Sequence, residues 1–391
     1  MKKTTLLIAT ASVVFLFSTS ANACSKACEE AKRDKLYSEP LSESSLQSIL
    51  ANALAEKTAD TALGEPYTIY PIETSPDGEN VFHSTLIEYP YGSSPRSITP
   101  GVNPRGIILY VHGYNDYYFQ EELAEKCDSA GFAFFAIDLH YNGRSYSDGE
   151  RRSDMRSIKE FYAELDAAVA ISKNLTDESL PYVLIGHSQG GLIVPNYMNE
   201  RDSGSFAALV LNSPFLDFND NWFTRNVIYP IVSDIALLLP DVVVPAQEAP
   251  DYNISLLASE KGEWEFNRDW KSDEWPVQYF GYFRAVHRGI KWIHSGLGIQ
   301  SPILVMRSGC TVDETDWNED YMRCDCMLDV NLIEKWAPKL GDNVTTTTIT
   351  DGMHDLFLSK KIVRDNAYKT MFNFLDGIIP SVSPVLAFAN P

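Results

Sequence analysis

Ser188 lies between two glycines in the stretch YVLIGHSQGGLIV, residues 182–194. Residues 186–190 (GHSQG) fit the G-x-S-x-G pattern of a nucleophile elbow, a tight turn between a strand and a helix. The pattern is common by itself, but here an apolar strand-like run precedes it and a helix-compatible run follows. Only small neighbours fit a turn that lifts the hydroxyl to a helix N-terminus. We therefore predict that Ser188 is a nucleophile.

A serine hydroxyl needs a neighbouring base before it can attack a carbonyl carbon. The stretch TDGMHDLFLS, residues 350–359, places His354 in a loop after the last predicted strand. A fold with a strand–elbow–helix nucleophile carries its triad in the order serine, acid, histidine. His287 and His294 also follow Ser188, but they fall in an aromatic region where strands and helices do not alternate. We predict His354 as the base; the alternative is a surface-loop histidine.

Attack by serine creates an oxyanion that needs two preorganised N–H donors. One expected donor is the backbone N–H of Gln189, directly after the nucleophile. The other is the backbone N–H of Tyr114, because VHGYND (residues 111–116) contains the His-Gly pair that opens the corresponding loop in many lipases and esterases. The side chain of His112 is predicted to be structural.

The elements around these residues alternate between apolar strands and helices. GIILYVHG (106–113) and GFAFFAIDLH (131–140) are nearly continuous apolar runs, as expected for strands that are buried on both faces. Such alternation predicts a mostly parallel sheet covered by helices. Residues 216–299 interrupt it and are rich in Trp, Tyr and Phe. Their aromatic residues either serve simple packing or line an apolar substrate tunnel.

Four segments taken together carry a family resemblance: VHGYND, FFAIDLHYNGRS, GHSQGG and GMHDLFLS. In this order they resemble the α/β-hydrolase superfamily, and more narrowly its monoacylglycerol lipase, lysophospholipase and serine-aminopeptidase-like group. The resemblance runs from about residue 66 to about residue 380. It implies an α/β-hydrolase fold: a mostly parallel eight-stranded sheet flanked by helices, with an inserted helical cap. It also implies a Ser-Asp-His triad and ester hydrolysis without a metal or organic cofactor.

The expected organisation has four parts. They are a signal peptide at 1–23, an N-terminal helical arm at 24–65, a hydrolase core at 66–215 and 300–391, and a helical cap at 216–299.

The sequence departs from the group pattern after the predicted fourth core strand. The group has D-x-P-G-x-G-x-S there, whereas residues 138–145 read DLHYNGRS. His140 and Tyr141 replace the proline and the first glycine, so we expect a reshaped loop. Asp138 is predicted to be structural.

The triad acid is the second departure. The group places it after the seventh strand in a G-x-A-D-x-x-x-D context, but VMRSGCTV has no aspartate at that point. The motif is displaced into CDCMLD (324–329), which keeps the four-residue spacing between Asp325 and Asp329. Asp325 lies 29 residues before His354, close to the separation usual in the group. We predict Asp325 as the acid, with Asp313 and Asp329 as rivals and residues 310–323 as an insertion.

Six cysteines follow the predicted signal peptide, at positions 24, 28, 127, 310, 324 and 326. A disulfide from Cys310 to Cys324 or Cys326 would pin the inserted loop and hold Asp325 in place. Cys127 falls in an amphipathic helix and is predicted to be a buried free thiol. A metal site is not favoured, because no histidine lies near the three late cysteines.

The N-terminus combines Lys2 and Lys3, a short apolar run and Ala-Asn-Ala before residue 24. These features predict a signal peptide and a periplasmic or secreted protein. Lipid anchoring at Cys24 is the less favoured alternative, because Ala21 stands where lipoprotein signals carry a larger aliphatic residue. The net charge of −21 argues against nucleic-acid binding.

The expected function is hydrolysis of carboxylic esters, with lipid esters such as monoacylglycerols or lysophospholipids as substrates and transient contact with lipid aggregates. An exported aminopeptidase-like peptidase is an alternative, with Glu263, Glu265, Asp269 and Glu274 as candidate partners for a substrate ammonium. An acyltransferase using the same triad is another, and a non-catalytic binding protein is the least favoured. The sequence leaves acyl chain length and oligomeric state open.

Overall fold

A computed structural model describes residues 20–94, 103–201, 203–244 and 251–380 of the chain. Most of the predicted signal peptide, residues 1–19, lies outside this part, so export stays a prediction. Within the described residues, no helix combines the length and the apolarity that a membrane crossing requires.

Nine strands form one sheet, in the spatial order β1-β2-β3-β5-β4-β6-β7-β8-β9. The strands are β1 Thr58–Ala59, β2 Thr68–Thr74, β3 Phe82–Tyr89, β4 Gly106–Val111, β5 Phe132–Asp138, β6 Tyr182–His187, β7 Ala208–Asn212, β8 Ile303–Ser308 and β9 Val344–Ile349. The six strands from β4 to β9 run parallel, whereas β1, β2 and β3 pair antiparallel at one edge. The predicted mostly parallel sheet is confirmed. The sequence predicted eight strands and the sheet has nine, because the two-residue β1 pairs with β2 from within the segment expected to be a helical arm.

Ten α-helices accompany the sheet in the described ranges. They are α1 Ser20–Ser38, α2 Glu43–Glu56, α3 Glu121–Ser129, α4 Tyr162–Leu175, α5 Gly190–Glu200, α6 Tyr229–Leu238, α7 Tyr252–Leu256, α8 Phe280–Ser295, α9 Val330–Trp336 and α10 Lys361–Asp376.

The sheet separates two apolar cores because successive side chains of a strand point to opposite faces. In β4, Ile107 and Leu109 belong to the core that α4, α5 and α8 cover. Ile108 and Tyr110 belong to the core on the opposite face, which α3 and α10 cover. With both faces covered, β4, β6 and β7 are buried along their whole length. This explains why their sequences are continuous apolar runs rather than alternating ones.

Residues 216–299, which we call the inserted segment, connect β7 to β8. In its described part the segment contains a π-helical turn at Thr224–Ile228 and the helices α6, α7 and α8. Residues 257–279 are irregular, so the segment is less helical than expected. Its irregular part is held by aromatic anchors: Trp264, Phe266 and Trp270 pack on a third apolar cluster. That cluster includes Tyr117 and Phe119, which follow β4.

Candidate active site

The turn after β6 holds Ser188 in the left-handed backbone region, with φ +51°. A non-glycine residue adopts this conformation only where the surroundings impose it. A Cβ added at Gly186 would lie 2.7 Å from the carbonyl oxygen of Gly190, and one at Gly190 would lie 2.4 Å from that of Val111. Both glycines are therefore required for the chain to turn from β6 into α5.

Backbone hydrogen bonds fix the turn on both sides of Ser188. Its N–H donates to the carbonyl of Asn212 at the end of β7 (3.1 Å). Its carbonyl accepts from the Phe215 N–H (2.9 Å). Ser188 itself remains partly exposed while its neighbours are buried. The turn thus presents one accessible hydroxyl on a rigid backbone.

His354 lies in the loop between β9 and α10 and donates its Nδ1–H to Oδ2 of Asp325 (2.9 Å). Oδ1 of Asp325 accepts the backbone N–H groups of Met327 and Leu328, both at 2.8 Å. Asp325 is fully buried and His354 is 4% exposed. A carboxylate that holds Nδ1 in its protonated form leaves Nε2 of His354 as the nitrogen able to accept a proton.

Asp325 is far along the chain from β8 but lies beside the end of that strand. Its N–H donates to the Cys310 carbonyl (2.9 Å), and its own carbonyl accepts the Val312 N–H (2.8 Å). Thr311 and Asp325 form a parallel β-bridge. The chain therefore forms a side loop after residue 312 and returns the carboxylate to the end of β8.

A disulfide between Cys310 and Cys324 closes this side loop. It joins the residue before Thr311 to the residue before Asp325, so it reinforces the same junction. Of the two pairings considered from the sequence, the structure contains this one, and Cys326 is a buried free thiol. Cys127 is also buried and unpaired, as predicted.

The two other aspartates considered as the triad acid, Asp313 and Asp329, do not bond to His354. Asp313 is exposed on the side loop. Asp329 caps the N-terminus of α9, where its Oδ1 accepts the Asn331 N–H (2.9 Å). Of these three aspartates, all within the described residues, Asp325 is the one that bonds to His354.

The loop after β4 runs directly beside the nucleophile. A Cβ added at Gly113 would lie 3.1 Å from the Cβ of Ser188, so the peptide that joins Gly113 to Tyr114 passes next to the serine. Neither the Tyr114 N–H nor the Gln189 N–H donates to another group among the described residues. Two backbone donors beside one serine are the elements of an oxyanion hole.

His112 and Asp138 hold the surrounding loops. His112 donates from Nδ1 to the Gly113 carbonyl (2.7 Å), and its Nε2 accepts the Leu139 N–H (3.0 Å). Asp138 is buried and accepts the Tyr118 N–H and the Arg144 guanidinium, each at 2.8 Å. Both nitrogens of His112 and both oxygens of Asp138 are engaged, which gives these residues a structural part.

The loop after β5 has an unusual backbone where the sequence departs from the group pattern. Tyr141 has φ +62°, a conformation uncommon for a tyrosine. His140 is buried and donates from Nδ1 to Glu164. Rings of Phe82 and Phe161 lie on His140 with centroids 4.5 Å away. The histidine therefore packs inward and takes no part in the site.

Sequence reasoning missed a buried ion pair between the loop after β4 and the inserted segment. Lys271 Nζ lies 2.8 Å from Asp116 Oδ1, and both side chains are buried. Burial alone would raise the pKa of Asp116, but the ammonium of Lys271 holds that pKa below its ordinary value. Next to the pair, Asn115 donates to the Ser272 carbonyl (2.9 Å). VHGYND contained both loop residues, but nothing local to Lys271 signalled the pairing.

His187, the residue before Ser188, packs against His354. Its ring centroid is 4.9 Å from that of His354, and its Nδ1–H donates to the Asn212 carbonyl (3.1 Å). Burial lowers the pKa of His187, which keeps its imidazole neutral.

Among the residues that the structure describes, no group of three or more His, Cys, Asp or Glu side chains is arranged to hold a metal ion.

Comparison with known proteins gives consistent matches. Residues 102–308 match the family described as serine aminopeptidase, S33. The monoacylglycerol lipase of Mycolicibacterium smegmatis is 30% identical over 152 residues, which cover 39% of this chain and 52% of that enzyme. The chain thus aligns with about half the length of that relative. Phospholipase YtpA of Bacillus subtilis is 22% identical over 282 residues, covering 71% of this chain and 97% of that protein.

Among solved structures, the chain resembles a soluble variant of monoglyceride lipase from Saccharomyces cerevisiae in complex with a substrate analog. The TM-score is 0.56 at 15% identity, and the match covers 80% of this chain and 95% of the yeast chain. At this identity the likeness concerns the fold.

Proposed function

The chain belongs to the serine aminopeptidase S33 family of α/β hydrolases, within its monoacylglycerol lipase and lysophospholipase-like group, and on this premise we propose that it hydrolyses lipid carboxylic esters through Ser188. The observation that carries the proposal is the Asp325–His354 hydrogen bond, whose histidine ring packs against that of His187, the residue before Ser188. The strained elbow presents Ser188, the Asp325–His354 bond prepares a base, and Tyr114 and Gln189 offer free N–H groups.

The proposed reaction proceeds through an acyl-enzyme. Ser188 Oγ attacks the ester carbonyl carbon while His354 Nε2 accepts the hydroxyl proton, and Asp325 stabilises the imidazolium that forms. The carbonyl oxygen becomes an oxyanion between the Tyr114 and Gln189 N–H groups. His354 then protonates the leaving alcohol, and the acyl group stays on Ser188. Water attacks this ester with His354 as base, which releases the carboxylic acid and restores Ser188.

Aromatic side chains lead away from Ser188 into the inserted segment. Phe215, which bonds to the Ser188 carbonyl, has its ring 5.5 Å from Phe218, and Phe218 stacks on Phe283 at 5.1 Å. An apolar wall of this kind favours an acyl chain over a charged substrate. It supports the lipid-ester assignment.

The peptidase alternative requires an anionic group that could bind a substrate ammonium near Ser188. The four acids considered for this part, Glu263, Glu265, Asp269 and Glu274, are all exposed. Glu263 is in addition paired with Arg364. None of the four offers a buried carboxylate to a substrate amine, so these residues favour ester hydrolysis over peptide hydrolysis.

The inserted segment also supports the proposed contact with lipid aggregates. Of the ten large apolar side chains that are exposed in the described residues, seven belong to it: Trp222, Phe223, Ile231, Leu239, Val242, Val243 and Val277. Apolar side chains concentrated on one segment are typical of interaction surfaces. We expect Trp222→Ser with Phe223→Ser to lower turnover of vesicle-bound esters and leave soluble esters unaffected. Ile362→Ser, at a position 82% exposed on α10, is the matched control.

Export is part of the same proposal. The Cys310–Cys324 disulfide supports it, because disulfides persist in oxidising compartments. Sequencing the N-terminus of the protein recovered from its native compartment tests the cleavage site, with residue 24 expected first.

The deciding experiment measures hydrolysis of p-nitrophenyl esters from acetyl to palmitoyl by the mature protein. We expect activity that peaks at medium or long chains and falls by about 10⁴-fold or more in Ser188→Ala. Ser213→Ala removes a buried hydroxyl near the elbow that bonds to nothing in the described structure, and it should keep full activity. Monoacylglycerols and lysophospholipids then identify the headgroup. Cleavage of aminoacyl amides in place of esters would overturn the proposal, and transfer to added alcohol would indicate an acyltransferase.

A further inference from the structure

Tyr282, in α8 of the inserted segment, contacts both residues of the proposed oxyanion hole. Its hydroxyl donates to Oε1 of Gln189 (2.6 Å). Its ring lies on that of Tyr114, with centroids 5.0 Å apart. The side chain is 9% exposed, so the hydrogen bond is shielded from water. One side chain therefore bridges the two residues that are proposed to supply the N–H groups of the oxyanion hole.

The helix that carries Tyr282 is itself fixed from the opposite side. Arg284 forms two hydrogen bonds with the Glu30 carboxylate of α1, both at 2.7 Å. Arg288 pairs with Asp34 of the same helix. Paired arginine–carboxylate bonds of this geometry are directional and hold both partners in place. Tyr282 thus projects from an anchored helix.

Tyr114 is enclosed by the inserted segment as well. Trp275 also contacts its ring, with centroids 5.4 Å apart. The two residues that follow Tyr114 are tied to the same segment by the Asn115–Ser272 hydrogen bond and the Asp116–Lys271 ion pair. The position of the Tyr114 N–H is accordingly determined by contacts with the inserted segment, together with the hydrogen bond from His112 to the Gly113 carbonyl in the same peptide group.

We propose that Tyr282 is a positioning residue of the oxyanion hole. Its hydroxyl fixes Gln189, its ring fixes Tyr114, and together these contacts set the spacing of the two N–H donors. The inference rests on the proposed function, because it assigns these donors to the oxyanion of acyl transfer. Tyr282 itself does not touch the reacting atoms.

Loss of the Tyr282 contacts should weaken stabilisation of the transition state more than binding of the substrate. Oxyanion-hole donors bind most strongly once negative charge has developed on the carbonyl oxygen. Loosening them should therefore lower kcat and leave KM nearly unchanged. Loss of one supporting contact is expected to cost less than the 10²- to 10³-fold associated with removal of a donor, on the order of tenfold.

The test is a double-mutant cycle with Tyr282→Phe and Gln189→Met, measured as kcat and KM on a soluble p-nitrophenyl ester. Both substitutions keep the size of the side chain and every backbone N–H. We expect Tyr282→Phe to lower kcat about tenfold in the wild-type background and less than about twofold in the Gln189→Met background. KM should stay within about twofold. The affinity for a trifluoromethyl ketone, which forms a tetrahedral adduct with serine, should fall in parallel with kcat/KM.

Tyr197→Phe is the matched control. Tyr197 lies in α5, the helix that follows Ser188, is also buried, and donates its hydroxyl to Asp166 (2.9 Å). Its loss should lower thermal stability and leave kcat and inhibitor affinity unchanged. If Tyr197→Phe lowered kcat as much as Tyr282→Phe, the effect would reflect general destabilisation and the inference would be wrong.

A second readout separates this inference from the proposed function. The rate at which a fluorophosphonate labels Ser188 also depends on charge developing on an oxygen in the same hole, and it needs no ester turnover. If the wild-type protein hydrolyses esters and Tyr282→Phe has the same kcat and the same labelling rate, the positioning role of Tyr282 is overturned and the proposed function stands. No wild-type ester turnover, but slower labelling of Tyr282→Phe, would overturn the substrate assignment and retain Tyr282. A wild-type protein inert in both assays would overturn both.

Discussion

The two ends of the proposed triad are built in different ways. The nucleophile depends on five consecutive residues whose glycines leave the chain a single route from β6 into α5. The acid depends on contacts between segments 14 residues apart, joined by a disulfide, a β-bridge and backbone hydrogen bonds. Local sterics determine the first geometry, and long-range connections determine the second.

The difference has a physical origin. A strained turn tolerates almost no change, because its close contacts are with backbone atoms that cannot move aside. A carboxylate that orients a histidine needs only the correct position relative to Nδ1, whatever route the chain takes to reach it. The acid can therefore be supplied from a side loop, whereas the serine is tied to its strand.

The largest expected effect is in Asp325→Asn. An amide at this position no longer holds His354 in the tautomer with Nδ1 protonated, so kcat should fall about 10⁴-fold with the fold intact. Asp313→Asn, at the exposed position nearer the strand, should retain wild-type activity. A loss of less than about tenfold in Asp325→Asn would show that another group orients the histidine.

Gly190→Ala probes the nucleophile side. The added Cβ would meet the carbonyl oxygens of Val111 and His112 at 2.4 Å and 2.6 Å. We expect the free energy of unfolding to drop by about 3 kcal/mol or more, measured by urea denaturation. Gly298→Ala is the control, since its nearest neighbour would be 3.8 Å away. A stable, active Gly190→Ala would contradict the view that backbone sterics determine the elbow.

Cys310→Ser combined with Cys324→Ser probes the acid side. Opening a loop of this length should lower the free energy of unfolding by about 2–3 kcal/mol. Activity should fall less than in Asp325→Asn, by about tenfold, because the backbone hydrogen bonds that join residue 325 to residues 310 and 312 remain. Thermal melting and ester turnover provide the measurements, and Cys28→Ser, at an exposed free thiol, is the control. Unchanged stability and activity would remove the disulfide from the account of how the acid is held.

The smallest expected effect is a pH dependence of stability that arises from Glu160, near the loop after β5, and not from the proposed triad. Burial raises the pKa of Glu160 to about 7, and Glu160 lies near His140, whose pKa is raised by Glu164 despite burial. The folded state therefore holds protons that the unfolded state releases. The contribution of Glu160 to stability should therefore decrease as pH rises through this range, by about 1 kcal/mol between about pH 6 and about pH 8, against the opposite contribution of the buried histidines whose pKa is lowered.

Glu160→Gln should reduce this slope in melting experiments and leave kcat unchanged, whereas Glu178→Gln, at an exposed position, should not alter it. An unchanged slope in Glu160→Gln would assign the pH dependence to other groups. A changed kcat would mean that the loop acts on the triad.

The sequence was sufficient for features that depend on neighbours in the chain. Buried strands such as β4 and β6 are continuous apolar runs, and the elbow needs small residues at fixed positions, so the fold could be predicted. The triad acid could be predicted less firmly. The four-residue spacing and the distance from His354 favoured Asp325, but they left Asp313 and Asp329 as rivals. What distinguishes the three is burial and the bridge to Thr311.

Contacts between distant segments could not be predicted. Tyr282 is 93 residues from Gln189, and Lys271 is 155 residues from Asp116. Neither pair leaves a periodic or compositional signal, because each depends on how the inserted segment packs over the sheet. The irregular backbone of residues 257–279 could not be predicted either, because it depends on how Trp264, Phe266 and Trp270 pack on the third apolar cluster.

The junction of Thr311 with Asp325 also makes the geometry of the proposed triad insensitive to what lies between the two residues. Because the chain leaves and re-enters at the same point, the length of the intervening loop does not enter the distance from carboxylate to histidine. The exposed tip at residues 313–316 is consequently a place where the chain can gain or exchange sequence while the reaction centre keeps its dimensions. For protein engineering, this tip is a site for insertions, and the disulfide between Cys310 and Cys324 closes the loop at its base.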